Sequence, residues 1–250
     1  MEKTIITASL TGAVTPAGYN IHETPEEIAA CAYECWKLGA AIVHLHMRDD
    51  QGLGVMDKDR FAETIRLIRA HEDCDVIINC TSSGSNTLLP PEKRMEHFAT
   101  IPEIELGSFD AGTINWDCMG IFLNDPPFLL KLAECYEKYH VKPEIELFDA
   151  GMIANMNYYI KTGVLKEPVW CQLVMNVLGG APGTVENLVH LVNQLPKGAM
   201  WSCTGIGASH VPMMFTTLAS SNHFHLFFSL KYYFLIPNFH FHHHPPLFFS

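Results

Sequence analysis

Along the chain, short apolar runs rich in β-branched residues alternate with longer stretches in which apolar positions recur every three or four residues. The first pattern marks strands buried on both faces, and the second marks amphipathic helices. Strands are predicted at TIITASL (4–10), AIVHLH (41–46), DVIINC (75–80), EIELGS (103–108), PEIELF (143–148), VWCQLVMNV (169–177) and AMWSCTG (199–205). Helices are predicted from Thr24 to Lys37 and near 58–71, 89–98, 127–140, 151–163, 184–195 and 208–219. The clearest start signal is Thr24-Pro25-Glu26-Glu27: Thr24 can cap, Pro25 suits the first helical position, and Glu27 completes a capping box. Gly39 is the expected stop.

Strict strand–helix alternation demands a parallel sheet, because each crossover returns the chain to the same end of the next strand. No G-x-G-x-x-G follows the first strand, and seven similar units of roughly 30 residues favour an α/β fold of the (β/α)8 TIM-barrel type over two mononucleotide-binding halves. The eighth βα unit is not evident. From about Thr217 the pattern changes: the last glycine is Gly207 and the last acidic residue is Glu186. Residues 217–250 hold 6 of the 14 His and 8 of the 15 Phe with Lys231 as the one Lys or Arg, so no charged helix face can form there. The expected organisation is a seven-unit catalytic barrel over 1–216 and a Phe/His-rich tail over 217–250. The barrel is thus incomplete or distorted at its eighth unit, and the tail is either disordered or stands in for the eighth strand. Segment 223–230 is apolar enough to cover the edges of the first and seventh strands.

Composition narrows the function. A formal net charge of -11 argues against nucleic acid or an anionic membrane as partner, and no run reaches the ~18 apolar residues that span a bilayer. Eight cysteines without a C-x-x-C pair read as reduced thiols, and the N-terminus carries no secretory pattern, so a cytoplasmic small-molecule enzyme is expected.

Candidate chemistry gathers at strand ends. His44 and His46 in IVHLHMRD share one face of a strand, which makes them either two metal ligands or a hydrogen-bonded pair. Glu144 and Glu146 in PEIELFDAGM also share a face, and burying them requires a cation, donors or a proton-transfer role. NCTSSGSN (79–86) and GSFDAGTINW (107–116) offer hydroxyl and N–H donors after the third and fourth strands, as turns or as an anion-binding rim. Arg48 and Asp49 are expected to form a local ion pair at a solvated rim.

In this order, TASLTGAVTP, TPEEIA, GAAIVHLHMRD, PEIELFDAGM, VLGGAPGT and WSCTGIG resemble the β-keto acid cleavage enzyme family over about residues 3 to 215. The family's first characterised member cleaves 3-keto-5-aminohexanoate in lysine fermentation. The resemblance implies a TIM barrel, a homotetramer, and a divalent metal, usually Zn2+, at the C-terminal face. It also implies conversion of a β-keto acid plus acetyl-CoA into acetoacetate plus a new acyl-CoA. The family's H-x-H falls on His44 and His46 as metal ligands. Its hydroxyls fall on Thr81 or Ser82 and on Ser108, which would hold the substrate carboxylate or keto oxygen. Its P-E-x-E falls on Glu144 and Glu146, the second being the expected catalytic carboxylate.

Two departures stand out. Val14 occupies a place where many members carry an acidic residue, which argues against an amino-bearing substrate. The eighth-strand motif, which in the family supplies a third metal ligand (Glu) and an Arg/Asp pair, is replaced by Asn222-His223-Phe224-His225-Leu226-Phe227-Phe228. Impaired or absent turnover is therefore expected of this chain, the alternative function being a non-catalytic barrel that binds a carboxylate or a metal.

Overall fold

The computed structural model of the protein describes residues 5–14, 21–83, 89–116, 120–220 and 225–229. In chain order the main elements are β1 (Ile5–Ser9), α1 (Pro25–Lys37), β2 (Ile42–Leu45), α2 (Lys58–Arg69), β3 (Ile77–Cys80), α3 (Pro91–Thr100), β4 (Leu106–Asp110) and α4 (Pro126–Tyr139). They continue as β5 (Lys142–Leu147), α5 (Ala150–Lys161), β6 (Trp170–Met175), α6 (Val185–Val192), β7 (Met200–Gly205), α7 (His210–Ser220) and β8 (His225–Ser229). Local chemistry sets their ends. Thr24 Oγ1 accepts from Glu27 N at 3.2 Å while Glu27 Oε2 accepts from Thr24 N at 3.2 Å, so the capping box forms. Just past the end of α1, Gly39 takes a φ of 102°, a left-handed conformation that a side chain disfavours.

All eight strands are parallel and each pairs with the next in sequence, and β8 closes the ring. It pairs with β1 from Ile5↔His225 to Ser9↔Ser229 and with β7 through Ser202↔His225 and Cys203↔Leu226. The unit missing from the sequence pattern is thus present as a strand, with no helix after it among the described residues. His223 and the His/Phe-rich residues beyond 229 lie outside the described residues.

Strand alternation divides the interior into two. Val43, Leu45, Ile78, Ile145, Cys171 and Leu173 belong to the core shared with the helices, where Cys171 Sγ meets Met156 Sδ of α5 at 3.5 Å. The intervening positions face the lumen, whose floor is a separate apolar cluster of Ile42, Leu106 and Trp170 with Ile5 and Ile77 against it. Polar side chains sit above this plug, on the side where all eight strands end.

Two boundaries differ from expectation. β4 runs on to Asp110 instead of ending at Ser108, which brings a carboxylate into the barrel wall, and part of the expected turn folds as an antiparallel hairpin, Ile114–Trp116 with Gly120–Phe122. Arg48 is 1% exposed rather than solvated, donating to Gly12 O at 2.7 Å and Met47 O at 3.2 Å. Asp49 instead serves its own turn, with Oδ1 accepting from Gln51 N and Leu53 N. The expected rim ion pair is thus replaced by a clamp on the loop after β1.

Candidate active site

His44 lies in β2 and His46 just past its end, both buried, with their Nε2 atoms 3.0 Å apart. Two nitrogens on a tetrahedral zinc ion are separated by about 3.3 Å, so the pair is spaced for one cation as well as for a shared proton. Burial pushes the His44 imidazole down to about 4, against an interaction with Asn79, so it is neutral at ordinary pH, the form that binds metal.

β5 contributes the facing carboxyls. Glu144 is fully buried; its Oε2 accepts from Asn79 Nδ2 at 2.5 Å and its Oε1 from Trp170 Nε1 at 3.0 Å. Burial pushes this carboxyl up to about 7, against the pull of those two donors. Glu146 stands one step nearer the mouth, in register with Asp110 of β4 and Gln172 of β6. Burial, and then the charges of Asp110 and Glu144, hold Glu146 well above the ordinary carboxylate range. Asp110 is raised to about 6 by burial, with Arg94 opposing. Such a group of carboxyls holds protons at neutral pH unless a cation replaces them.

The predicted hydroxyls separate into different roles. Ser82 Oγ donates to Ser108 O at 2.8 Å, and Tyr136 Oη donates to the same carbonyl at 2.7 Å, so the Ser82 hydroxyl is committed to the wall. Thr81 Oγ1 lies 2.7 Å from Ser83 Oγ in the turn after β3. Ser108 Oγ is buried beside the Glu146 carboxyl, which it pulls down in pKa, and makes no other hydrogen bond among the described residues, so it points where a ligand oxygen next to Glu146 would lie. Behind this segment, Arg94 donates to Ser82 O at 2.7 Å and His97 Nε2 lies 3.0 Å from Thr81 O, so α3 fixes the turn that ends β3. Sequence reading passes over Asn79, Asp110 and Trp170. The period-two sets Asn79/Thr81 and Leu106/Ser108/Asp110 would have shown the first two on the lumen face.

The residues present suit a divalent cation. One ligand atom each from His44, Glu144 and Glu146 falls within a common 4.8 Å, with His46 beside His44. Asp110 Oδ2 and Asn79 Oδ1 are buried without hydrogen-bond partners among the described residues. The neutral His44 imidazole with His46 beside it, the carboxyls of Glu144 and Glu146 and the unpaired oxygens are a donor set that a cation stabilises.

The sequence profile described as beta-keto acid cleavage enzyme matches residues 3–225. The chain belongs to the β-keto acid cleavage enzyme family. A 3-keto-5-aminohexanoate cleavage enzyme of Fusobacterium nucleatum is 33% identical over 225 residues, covering 89% of this chain and 80% of the relative. A 3-dehydrocarnitine:acetyl-CoA trimethylamine transferase of Rhizobium meliloti is 30% identical over 227 residues, 82% of this chain and 75% of that one. The apo structure of ObcA superposes with a TM-score of 0.74 at 18% identity, over 84% of this chain and 55% of ObcA, and supports the barrel fold. No helix among the described residues is long and apolar enough to cross a membrane.

Proposed function

We propose that this barrel binds Zn2+, a β-keto acid and acetyl-CoA, and converts them into acetoacetate and a new acyl-CoA. The supporting observation is the convergence of His44, Glu144 and Glu146 within 4.8 Å, beside His46, in a chain of this family. The C2–C3 bond of the keto acid breaks, C2 joins the acetyl carbon, and the original acyl carbon ends on the CoA sulfur, so the exchange needs no oxidant or reductant. His44 and His46 would hold the cation, with Glu144, fixed by Asn79 and Trp170, as a further ligand. Bound there, a divalent cation supplies Lewis acidity toward the keto and carboxylate oxygens. Glu146 takes the C2 proton and returns it to the product, a role that suits a carboxyl held at raised pKa. Ser108 Oγ donates to the substrate carboxylate or keto oxygen, and Thr81 and Ser82 shape the adjoining wall. The same reading carries a homotetramer in the cytoplasm, with light scattering as the test of its assembly.

A second reading is favoured by β8, which reads His225-Leu226-Phe227-Phe228-Ser229 and contains no acidic residue and no Arg. With the acid and Arg of the resemblance absent there, the barrel would bind a β-keto acid and a cation without turning them over. Incubation with a β-keto acid and 13C-acetyl-CoA decides between the two. Labelled acetoacetate, suppressed by chelator, supports the first; cation-dependent binding without label supports the second.

A further inference from the structure

Gln172 of β6 and Thr204 of β7 are buried, at 3% and 4% exposure; Gln172 lies outside the motifs that carry the family resemblance, and Thr204 lies inside one of them, WSCTGIG, without an assigned role. Both face the lumen. Gln172 lies between Cys171 and Leu173, which belong to the helix-side core, and shares a face with Trp170, whose indole reaches Glu144. Thr204 follows Cys203, another member of that core. Gln172 Nε2 and Thr204 Oγ1 have no hydrogen-bond partner among the described residues. A buried amide donor and a buried hydroxyl left unpaired on one wall of a ligand cavity each cost stability, and a ligand that pairs them recovers it. β6 stands four strands from β2 in a ring of eight, so this wall lies opposite His44 and His46.

We propose that Gln172 and Thr204 form a second binding position in the lumen, which takes an uncharged acceptor oxygen of the ligand. The oxygen is uncharged because Glu146 is the direct register neighbour of Gln172, and Asp110 and Glu144 stand next to Glu146, so that an anionic group would be repelled there. Thr204 stands in register with Val174, one lumen step nearer the mouth than Gln172, and a hydroxyl or carbonyl oxygen placed between the two levels would accept from both donors. Two sources carry that chemistry: a hydroxyl or carbonyl on the acyl arm of the β-keto acid, and the thioester carbonyl of acetyl-CoA. The inference rests on the β-keto acid reading above.

Calorimetric binding to the zinc-loaded protein tests it with two ligand pairs, 5-hydroxy-3-oxohexanoate against 3-oxohexanoate, and acetyl-CoA against S-ethyl-CoA. In one pair the oxygenated ligand binds about tenfold or more tighter, and Gln172→Leu with Thr204→Val brings that ratio close to one. The responding pair identifies the source of the oxygen. Ratios near one in the wild type, or ratios unchanged in the double variant, overturn the proposal. Failure of all four ligands to bind sinks the β-keto acid reading, and this one with it. Ligand-free melting is an independent check. Removing unpaired buried polar atoms leaves the melting temperature equal or higher, whereas a purely structural role for either side chain lowers it and refutes the assignment.

Discussion

Changing Glu144 to glutamine probes the protonation of the lumen and the cation site together. In the metal-free protein burial raises this carboxyl from 4.5 to about 7, so holding it ionised at pH 8 costs about 3 kcal/mol. A carboxyl raised in the folded state contributes stability that is present below its unfolded value and is lost as pH rises through about 7; Asp110, raised to about 6, acts in the same direction. His44 and His97 act oppositely. Burial depresses them to about 4 and about 3, so their contribution is present above 6.5 and is lost as pH falls toward those values. Glu146, held further above the ordinary carboxylate range, adds to the first group, so the raised carboxyls outweigh the two histidines and the metal-free wild type loses stability as pH rises from about 5 to 8. The glutamine adds no unpaired group: Trp170 Nε1 still finds an oxygen, and a half-turn of the Asn79 amide turns its Oδ1 to the new NH2 while its Nδ2 takes the place of the unpaired atom. Melting in chelator should show Glu144→Gln more stable than wild type by up to about 3 kcal/mol at pH 8, roughly 6–12 °C for a chain of this size, with little difference at pH 5. Added Zn2+ should raise the wild-type melting temperature at pH 8 and leave the variant nearly unmoved. A variant less stable than wild type at pH 8 in chelator, or a wild-type profile flat between pH 5 and 8, would refute the reasoning.

Two further outcomes follow from the wall of the barrel. A chain ending at Thr216 loses β8 and the end of α7, exposes the edges of β1 and β7, and is expected to lack a cooperative melt, whereas one ending at Ser229 keeps both; circular dichroism with thermal scans separates them. Arg94→Met removes three hydrogen bonds, to Ser82 O, Leu123 O and Asn124 Oδ1, and should cost about 3–5 kcal/mol in urea unfolding.

The barrel was legible because each unit carries its own signals: apolar runs of strand length, and helices that start at Thr24, Asp57, Asp125, Asp149 or Thr184, whose side chains all cap in the structure. β8 was not legible in the same way, because it lacks turn glycines and a following amphipathic helix; what specifies it is apolar character next to two open strand edges, a tertiary cause that local pattern cannot report. In the site, His44, Glu144 and Glu146 could be read from period-two spacing, and they meet in space. Asp110, Asn79 and Trp170 escaped because their importance lies in facing Glu144 and Glu146 across strand neighbours, and register between strands is not written in either strand alone. Arg48 is drawn inside for a similar reason. Its partner is the carbonyl of Gly12, far away in sequence.

The central claim is that His44 and His46 hold a cation through which a β-keto acid is bound. Titrating 3-oxohexanoate by calorimetry into zinc-loaded, chelator-treated and His44→Ala/His46→Ala protein tests it most directly. The account predicts saturable binding to the zinc-loaded wild type and its loss in the other two samples. Equal binding in all three would contradict it.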